Sequence, residues 1–198
     1  DVGSGTAIGT GTGAALTINS TGTTAFNGTL DTDSGITQAN GAGAVTFAEN
    51  VTTAAGDTAT SFNANTVLDG MTFTGGGNVT FGNGVGTDTL TINTAATTID
   101  AYAANADVTV AAATTLNNNL AVNTGDGDLM ITGDINGANN LTVDAGTGAV
   151  NVGMIGQNNT IGELDIDATG TTTLNGNITA SSIALDGATD VELATTDI

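Results

Sequence analysis

The chain has 198 residues, among them 41 Thr, 30 Gly, 30 Ala and 22 Asn; it has no Lys, Arg, His, Cys, Pro or Trp, so 20 acidic residues stand unopposed at a net charge of -20. Aromatic residues make up 3% of the chain, too few to fill a wide globule, and any core is expected to be narrow. Nucleic acid and anionic membrane surfaces are excluded as partners because both are held by Lys and Arg, no apolar run approaches the roughly 20 residues of a transmembrane segment, and without Cys the redox compartment goes unread.

Low hydrophobicity with high net charge would mean disorder, yet 39% of the residues are hydrophobic and they fall in short alternating strings. In chain order the first signal is Ile8 to Gly28, IGTGTGAALTINSTGTTAFNG, which returns as IGQNNTIGELDIDATGTTTLNG at Ile155 to Gly176. Between Leu16–Leu30 and Leu164–Ile178, 8 of 15 positions are identical at an offset of 148. These partial copies, over 8–30 and 155–178, predict that residues 1–198 form one solenoid cut from, or part of, a longer repeat array. No signal-peptide pattern stands at Asp1, which fits a mature or excised piece. Phe26 and Phe47 lie 21 apart. From Asp31 to Asn78 the spacing around Phe62, Leu68 and Phe73 is irregular, and insertions or a loop are expected there.

From Val108 onward the pattern is regular. Apolar pairs with one residue between them occur at Val108/Val110, Leu120/Val122, Leu129/Ile131, Leu141/Val143, Val150/Val152, Leu164/Ile166, Ile183/Leu185 and Val191/Leu193. Alternation with period two predicts strands. The starts at 108, 120, 129, 141 and 150 are separated by 12, 9, 12 and 9 residues, a 21-residue unit carrying two strands. One ladder is then Val108, Leu129, Val150; the other is Leu120, Leu141 and, after a two-residue insertion, Leu164. Helix is disfavoured because Gly, Thr and Asn interrupt every window. The connections keep step: NNNL ending at Leu120 returns as ANNL ending at Leu141, with a looser NNTI at Asn158–Ile161, and TGDG before Leu129 returns as AGTG before Val150. Asn and Gly suit the positive-φ conformations of tight corners, and stacked Asn side chains can bond to one another along the axis.

A repeat of about 20 residues with two or three short strands and polar corners is what a parallel β-solenoid (β-helix) requires. With coils of about 21 residues stacked about 4.8 Å apart, each side chain sits over its counterpart one period away, and the chain makes about nine coils in a rod of roughly 40 Å. A slim interior takes Val, Ile, Leu, Ala and Thr. The fold class is therefore all-β.

The stretches NLTVDAGTGAVNVG (Asn140 to Gly153) and IGELDIDATGTTTLNGNITA (Ile161 to Ala180) resemble the repeat regions of large bacterial secreted adhesins of the filamentous haemagglutinin and autotransporter-passenger type. The resemblance covers Val79 to the C-terminus. It implies a right-handed parallel β-helix in an extracellular cell-surface fibre, with a structural or adhesive role. It carries over no catalytic, cofactor-binding or metal residue. The expected function is a non-enzymatic module whose partners are neighbouring repeats or copies met end to end, and host or surface glycans or proteins. The alternative is a self-assembling subunit of a filament or sheath stacking end to end, since neither DVGSGTAIG nor VELATTDI reads as an amphipathic cap; a further alternative is a calcium-dependent or ice-binding solenoid.

Three constellations were weighed against plainer readings. Solenoid enzymes acting on acidic polysaccharides pair Asp with Arg, Lys or His, which are missing, and two carboxylates within glycosidase distance arise in any stacked acidic row. Asp107 and Asp128 are 21 apart, and Asn123, Asp144 and Asp167 hold equivalent places after Leu120, Leu141 and Leu164. Carboxylates stacked at ~5 Å repel by about 1 kcal/mol even in water, so solvent screening, proton sharing or a bound cation such as calcium must relieve them; a solvated acidic face with no cofactor is the plainer reading. NGVGTDTLT (Asn83 to Thr91) resembles one calcium-binding nonapeptide, a motif that works in tandem; here it stands alone. T-x-T rows of ice-binding solenoids are matched only by scattered TGT (Thr21 to Thr23), TDT (Thr87 to Thr89) and TTT (Thr171 to Thr173), which β propensity explains. Tyr102 reads as a packing ring. The chain offers trypsin no cleavage site.

Overall fold

The structure, a computed structural model, describes residues 8–9, 15–54, 59–85, 87–103 and 105–193. The described residues are strands and corners without a helix, wound into a parallel β-solenoid. The first laps are β1 (Ile8–Gly9), β2 (Leu16–Ile18) and β3 (Thr24–Phe26); β4 (Leu30–Thr32), β5 (Ile36–Gln38) and β6 (Val45–Phe47); then β7 (Val51–Thr53), β8 (Thr60–Phe62) and β9 (Thr66–Leu68). The middle laps are β10 (Thr72–Gly75), β11 (Val79–Phe81) and β12 (Thr89–Ile92); β13 (Thr97–Ala101), β14 (Val108–Val110) and β15 (Ala113–Leu116); then β16 (Leu120–Asn123), β17 (Leu129–Ile131) and β18 (Ile135–Asn136). The last laps are β19 (Leu141–Gly146) and β20 (Val150–Val152), β21 (Ile161–Ala168) and β22 (Thr171–Leu174), and β23 (Ala180–Asp186) and β24 (Asp190–Leu193).

Each of the first six laps contributes one strand to each side, and each of the last three contributes to the first and second sides. The first and second sides are parallel sheets of nine strands, the third a parallel sheet of six that runs from β3 to β18. Beyond β18 the third side thins to single bridges, Ile135 to Ile155 and Ile155 to Ile178. Both ladders read from the sequence are in register: Val108 beside Leu129 beside Val150 on the second side, and Leu120 beside Leu141 beside Leu164 on the first. The 21-residue unit carries a third strand besides the two legible ones. In β15 and β18 the inward positions include Thr114 beside Leu116, so apolar alternation is interrupted where Thr faces the core.

The core is a column of buried side chains threading all the laps. In a three-residue strand the outer two residues point in and the middle one points out, as at Leu30–Asp31–Thr32 and Leu129–Met130–Ile131, and burying each Val, Leu or Ile stabilises the stack by roughly 1.5–3 kcal/mol. All five Phe lie in the first four laps. Phe26 stacks on Phe47 with centroids 5.2 Å apart, Phe62 on Phe81 at 5.1 Å, and Phe62 meets Phe47 and Phe73 edge-on at 5.5 and 5.8 Å. Gln38 fills the inward slot beside Phe62 and is fully buried; its amide donates to Gly43 O at 2.9 Å and Asn65 O at 3.3 Å, which offsets the cost of a polar group in the core.

The insertions expected over residues 31–78 fall in corners, as in the 24-residue lap from Thr37 to Ser61. Leu30, Val51 and Phe73 follow one another in register on the first side, so the winding continues and the irregular spacing is taken up in corners of unequal length. A second expectation changes in mechanism. Positive φ at the corners is supplied by glycine, for example Gly125 (63°) and Gly146 (50°), and among non-glycine described residues only by Asn105. The Asn side chains act instead through their oxygen atoms, as described below. Glycine is also required where laps touch: a Cβ on Gly148 would sit 1.9 Å from Gly127 O, and one on Gly170 2.2 Å from Gly148 O.

The two long-repeat copies follow the same strand–corner–strand path on different sides. Leu16–Ile18 is in the second side and Thr24–Phe26 in the third, whereas Leu164–Ile166 is in the first and Thr171–Leu174 in the second. Inward parity survives, with Ile18 and Ile166 both buried. The motif encodes a corner and its two flanking strands, and two of the three edges use it.

Candidate functional site

An outward position in a parallel stack is repeated every lap, so the surface is organised in rows. On the first side Asp100, Asn123, Asp144, Asp167 and Asp186 follow one another in register. The equivalence of Asn123, Asp144 and Asp167 matches the sequence reading; Asp100 and Asp186 join the row without having been singled out, because the laps that carry them depart from 21 residues. β21 alternates Glu163, Asp165 and Asp167 outward of Leu164 and Ile166, which makes this part of the first side an acidic face.

At the corners a second set of Asx residues has a defined job. Asp107 Oδ1 accepts the backbone N–H of Asp128 at 3.0 Å, and Asp128 Oδ1 accepts that of Ala149 at 2.8 Å. Asn78 begins the same ladder by accepting the N–H of Asp107 at 2.9 Å. A parallel ladder runs from Asn119 Oδ1 to the N–H of Asn140 at 3.0 Å and from Asn140 Oδ1 to the N–H of Glu163 at 3.0 Å. Four of these oxygens cap the N–H just before a strand one lap on, at Asp107, Asp128, Asn140 and Ala149, and the fifth caps Glu163 within β21; where the acceptor is a carboxylate, the positive end of the N–H dipole stabilises its charge. Side-chain-to-side-chain bonding of stacked Asn, expected generally, occurs between Asn175 and Asn151.

Of the lone nonapeptide, Thr89–Thr91 lie in β12; ahead of them Asn83 Oδ1 accepts the N–H of Val85 at 2.7 Å, and Asp88 Oδ2 accepts the N–H of Asn83 at 3.4 Å. A hollow of about 220 Å³ lies between this loop and the corners at Ala111 and Gly133, with Asp88 and Asp134 on its wall. Among the described residues no three carboxylates converge on a point where they could hold a metal ion. A shallow hollow of about 230 Å³ on the second side is lined by Asp107, Asp128 and the half-exposed Met130.

The three T-x-T segments lie in different places: Thr171–Thr173 on the second side, Thr89 at the start of β12 on the third, and Thr21–Thr23 in the corner between β2 and β3. A continuous hydroxyl row exists elsewhere, formed by the middle residues of successive second-side strands, Thr17, Thr37, Ser61, Thr80 and Thr109. Reading T-x-T along the chain missed it, since only one residue per short strand faces out and the intervals between laps are unequal. The row ends at Met130 and Asn151. Tyr102 is partly exposed, and its hydroxyl donates to Thr53 O at 3.4 Å across two laps, a packing role. No helix among the described residues is long and apolar enough to cross a membrane.

Compared with models of protein families, with curated proteins and with solved structures, the chain has no significant match.

Proposed function

We propose that the chain is a non-enzymatic structural or adhesive module of an extracellular fibrous bacterial surface protein, of the secreted-adhesin type that its Thr/Gly/Asn-rich coils resemble. The observation that carries this reading is the division of labour within every lap. Inward residues build one continuous column, corner Asx residues tie lap to lap, and the outward residues form long polar rows along a rod. Such a surface suits extended contact with glycans or proteins. The test is antibody labelling of intact against permeabilised cells, joined to binding of the purified chain on glycan- and protein-coated surfaces. Labelling of intact cells with saturable retention supports the reading; labelling only after permeabilisation overturns it.

A second reading is end-to-end assembly into a filament: Ile183, Val191 and Leu193 are 40%, 39% and 54% exposed on the outermost described strands, side chains that a further lap of this chain or of another copy would cover. Unpaired edges with apolar side chains recruit further strands. Sedimentation and electron microscopy over a concentration series separate the two: a concentration-independent single rod supports the module, and growing fibres support the polymer.

A further inference from the structure

The chain contains five Asn-Gly pairs, at Asn27, Asn40, Asn83, Asn136 and Asn175, and this dipeptide is the one in which a backbone amide can attack the preceding side chain with least steric hindrance. The solenoid treats the five unequally. Asn136 Oδ1 accepts the N–H of Asn158 at 2.8 Å, and the N–H of Gly137 donates to Asn159 O at 3.4 Å. Asn83 is held at both ends of its amide, accepting from Val85 at 2.7 Å and donating to Asn63 O at 3.4 Å. Asn175 is bonded to Asn151 across a lap. At Asn27 the following glycine, Gly28, is buried.

Gly84 is as exposed and uncrowded as Gly41, but Asn40 combines such a glycine with a carboxamide that no neighbour holds. It and Gly41 are both exposed at the tip of the corner between β5 and β6. The N–H of Ala42 donates to Ala39 O at 3.1 Å and Gly41 has φ of 75°, a turn of type II with the Asn40–Gly41 peptide at its centre. Neither the Asn40 carboxamide nor the Gly41 N–H has a partner among the described residues, and nothing lies within 4 Å of where a Cβ on Gly41 would be. The central peptide can therefore rotate toward the side chain without breaking a hydrogen bond or displacing a neighbour.

We propose that Asn40 is a site of spontaneous covalent modification, deamidating through a succinimide formed with Gly41, while the solenoid protects the other four pairs. The Gly41 amide nitrogen, after losing its proton to solvent, attacks Asn40 Cγ. The N–Cγ bond forms, the Cγ–Nδ2 bond breaks, and the nitrogen leaves as ammonia after taking protons from water. A water molecule then opens the ring, at Cγ to give an aspartyl residue or at the Asn40 backbone carbonyl carbon to give an isoaspartyl residue. The net change is NH2 for OH, with one water consumed and no redox step. Either product adds a carboxylate to a chain with no Lys or Arg. The isoaspartyl form lengthens the backbone in a corner, the part of the lap where length already varies.

The test is incubation of the intact chain in mildly alkaline buffer, with and without denaturant, followed by cleavage before aspartate and mass spectrometry. Asn40 lies in the fragment running from Asp33 to Gly56. The expected result is that in folded protein this fragment converts severalfold faster than those carrying the other four pairs, that denaturant brings all five to comparable rates, and that N40Q abolishes conversion of this fragment. Earlier conversion at any other pair in the folded chain, equal rates at all five without denaturant, or conversion of the 33–56 fragment only in denaturant would each overturn the proposal.

Discussion

The first four laps and the laps from β14 onward build the same outline from different materials. In the first, five phenylalanines from all three sides meet in one cluster: Phe26 and Phe47 from the third, Phe62 and Phe81 from the second, Phe73 from the first. In the second, Val, Leu and Ile stack on their own counterparts, as Leu120, Leu141 and Leu164 do. A ring long enough to cross the column need not sit over a like residue, so the aromatic laps keep a closed core while their corners vary. Aliphatic side chains are shorter, and there the first-side laps from Leu120 to Leu141, Leu164 and Ile183 run 21, 23 and 19 residues. The difference teaches that corners of unequal length are tolerated with either filling, provided each inward position meets an inward neighbour in the next lap.

Substitutions can break that contrast, beginning with the largest effect. Phe62→Ala removes a fully buried ring touching three others, and is expected to cost about 3–5 kcal/mol, with hydrogen exchange rising in several laps at once; exchange confined to the lap of β8 would show that the ring cluster is not shared. Leu141→Ala empties one storey of the aliphatic ladder at a cost of about 2–5 kcal/mol. Here the loosened amides are expected in β16, β19 and β21 alone, and a response reaching the phenylalanines in a urea-melt or exchange map would contradict nearest-neighbour stacking.

Thr97 sits at the junction of the two regions with a buried hydroxyl that finds no partner. Thr97→Val keeps the shape and removes an unsatisfied group, so thermal melting should move up, by about 1–3 kcal/mol of stability; a lower melting temperature would mean that the hydroxyl is bonded in solution. The smallest effect belongs to the corner ladder. Asp128→Asn keeps an oxygen for the N–H of Ala149 and is expected to change stability by less than about 0.5 kcal/mol, whereas Asp128→Ala loses a net hydrogen bond of about 0.5–1.5 kcal/mol. Strong stabilisation by the Asn variant at low salt would show that repulsion along the row outweighs capping.

The sequence reading found the architecture where two conditions coincided, an inward strand position occupied by Val, Ile or Leu and a constant lap length. Both held at Val108, Leu129 and Val150. The third side was hidden because Thr114 and Thr66 face the core while counting as polar, and because Phe47, Leu68 and Ile92 are separated by laps of different length. The Asp107–Asp128 pair was legible as a ladder, but its purpose was not: a carboxylate that accepts an N–H from the next lap and one that repels its neighbour look the same in one dimension.

What the amino-acid order determined on its own is the strand character, the polarity of each position and the near-equality of successive laps, since these follow from side-chain period and corner chemistry within one turn of the chain. Which edge of the solenoid each segment would occupy was decided only in three dimensions. The path Leu16 to Phe26 and its copy Leu164 to Leu174 wrap different edges, because a strand's side is set by the strand already laid down beneath it, and that contact lies a whole lap away.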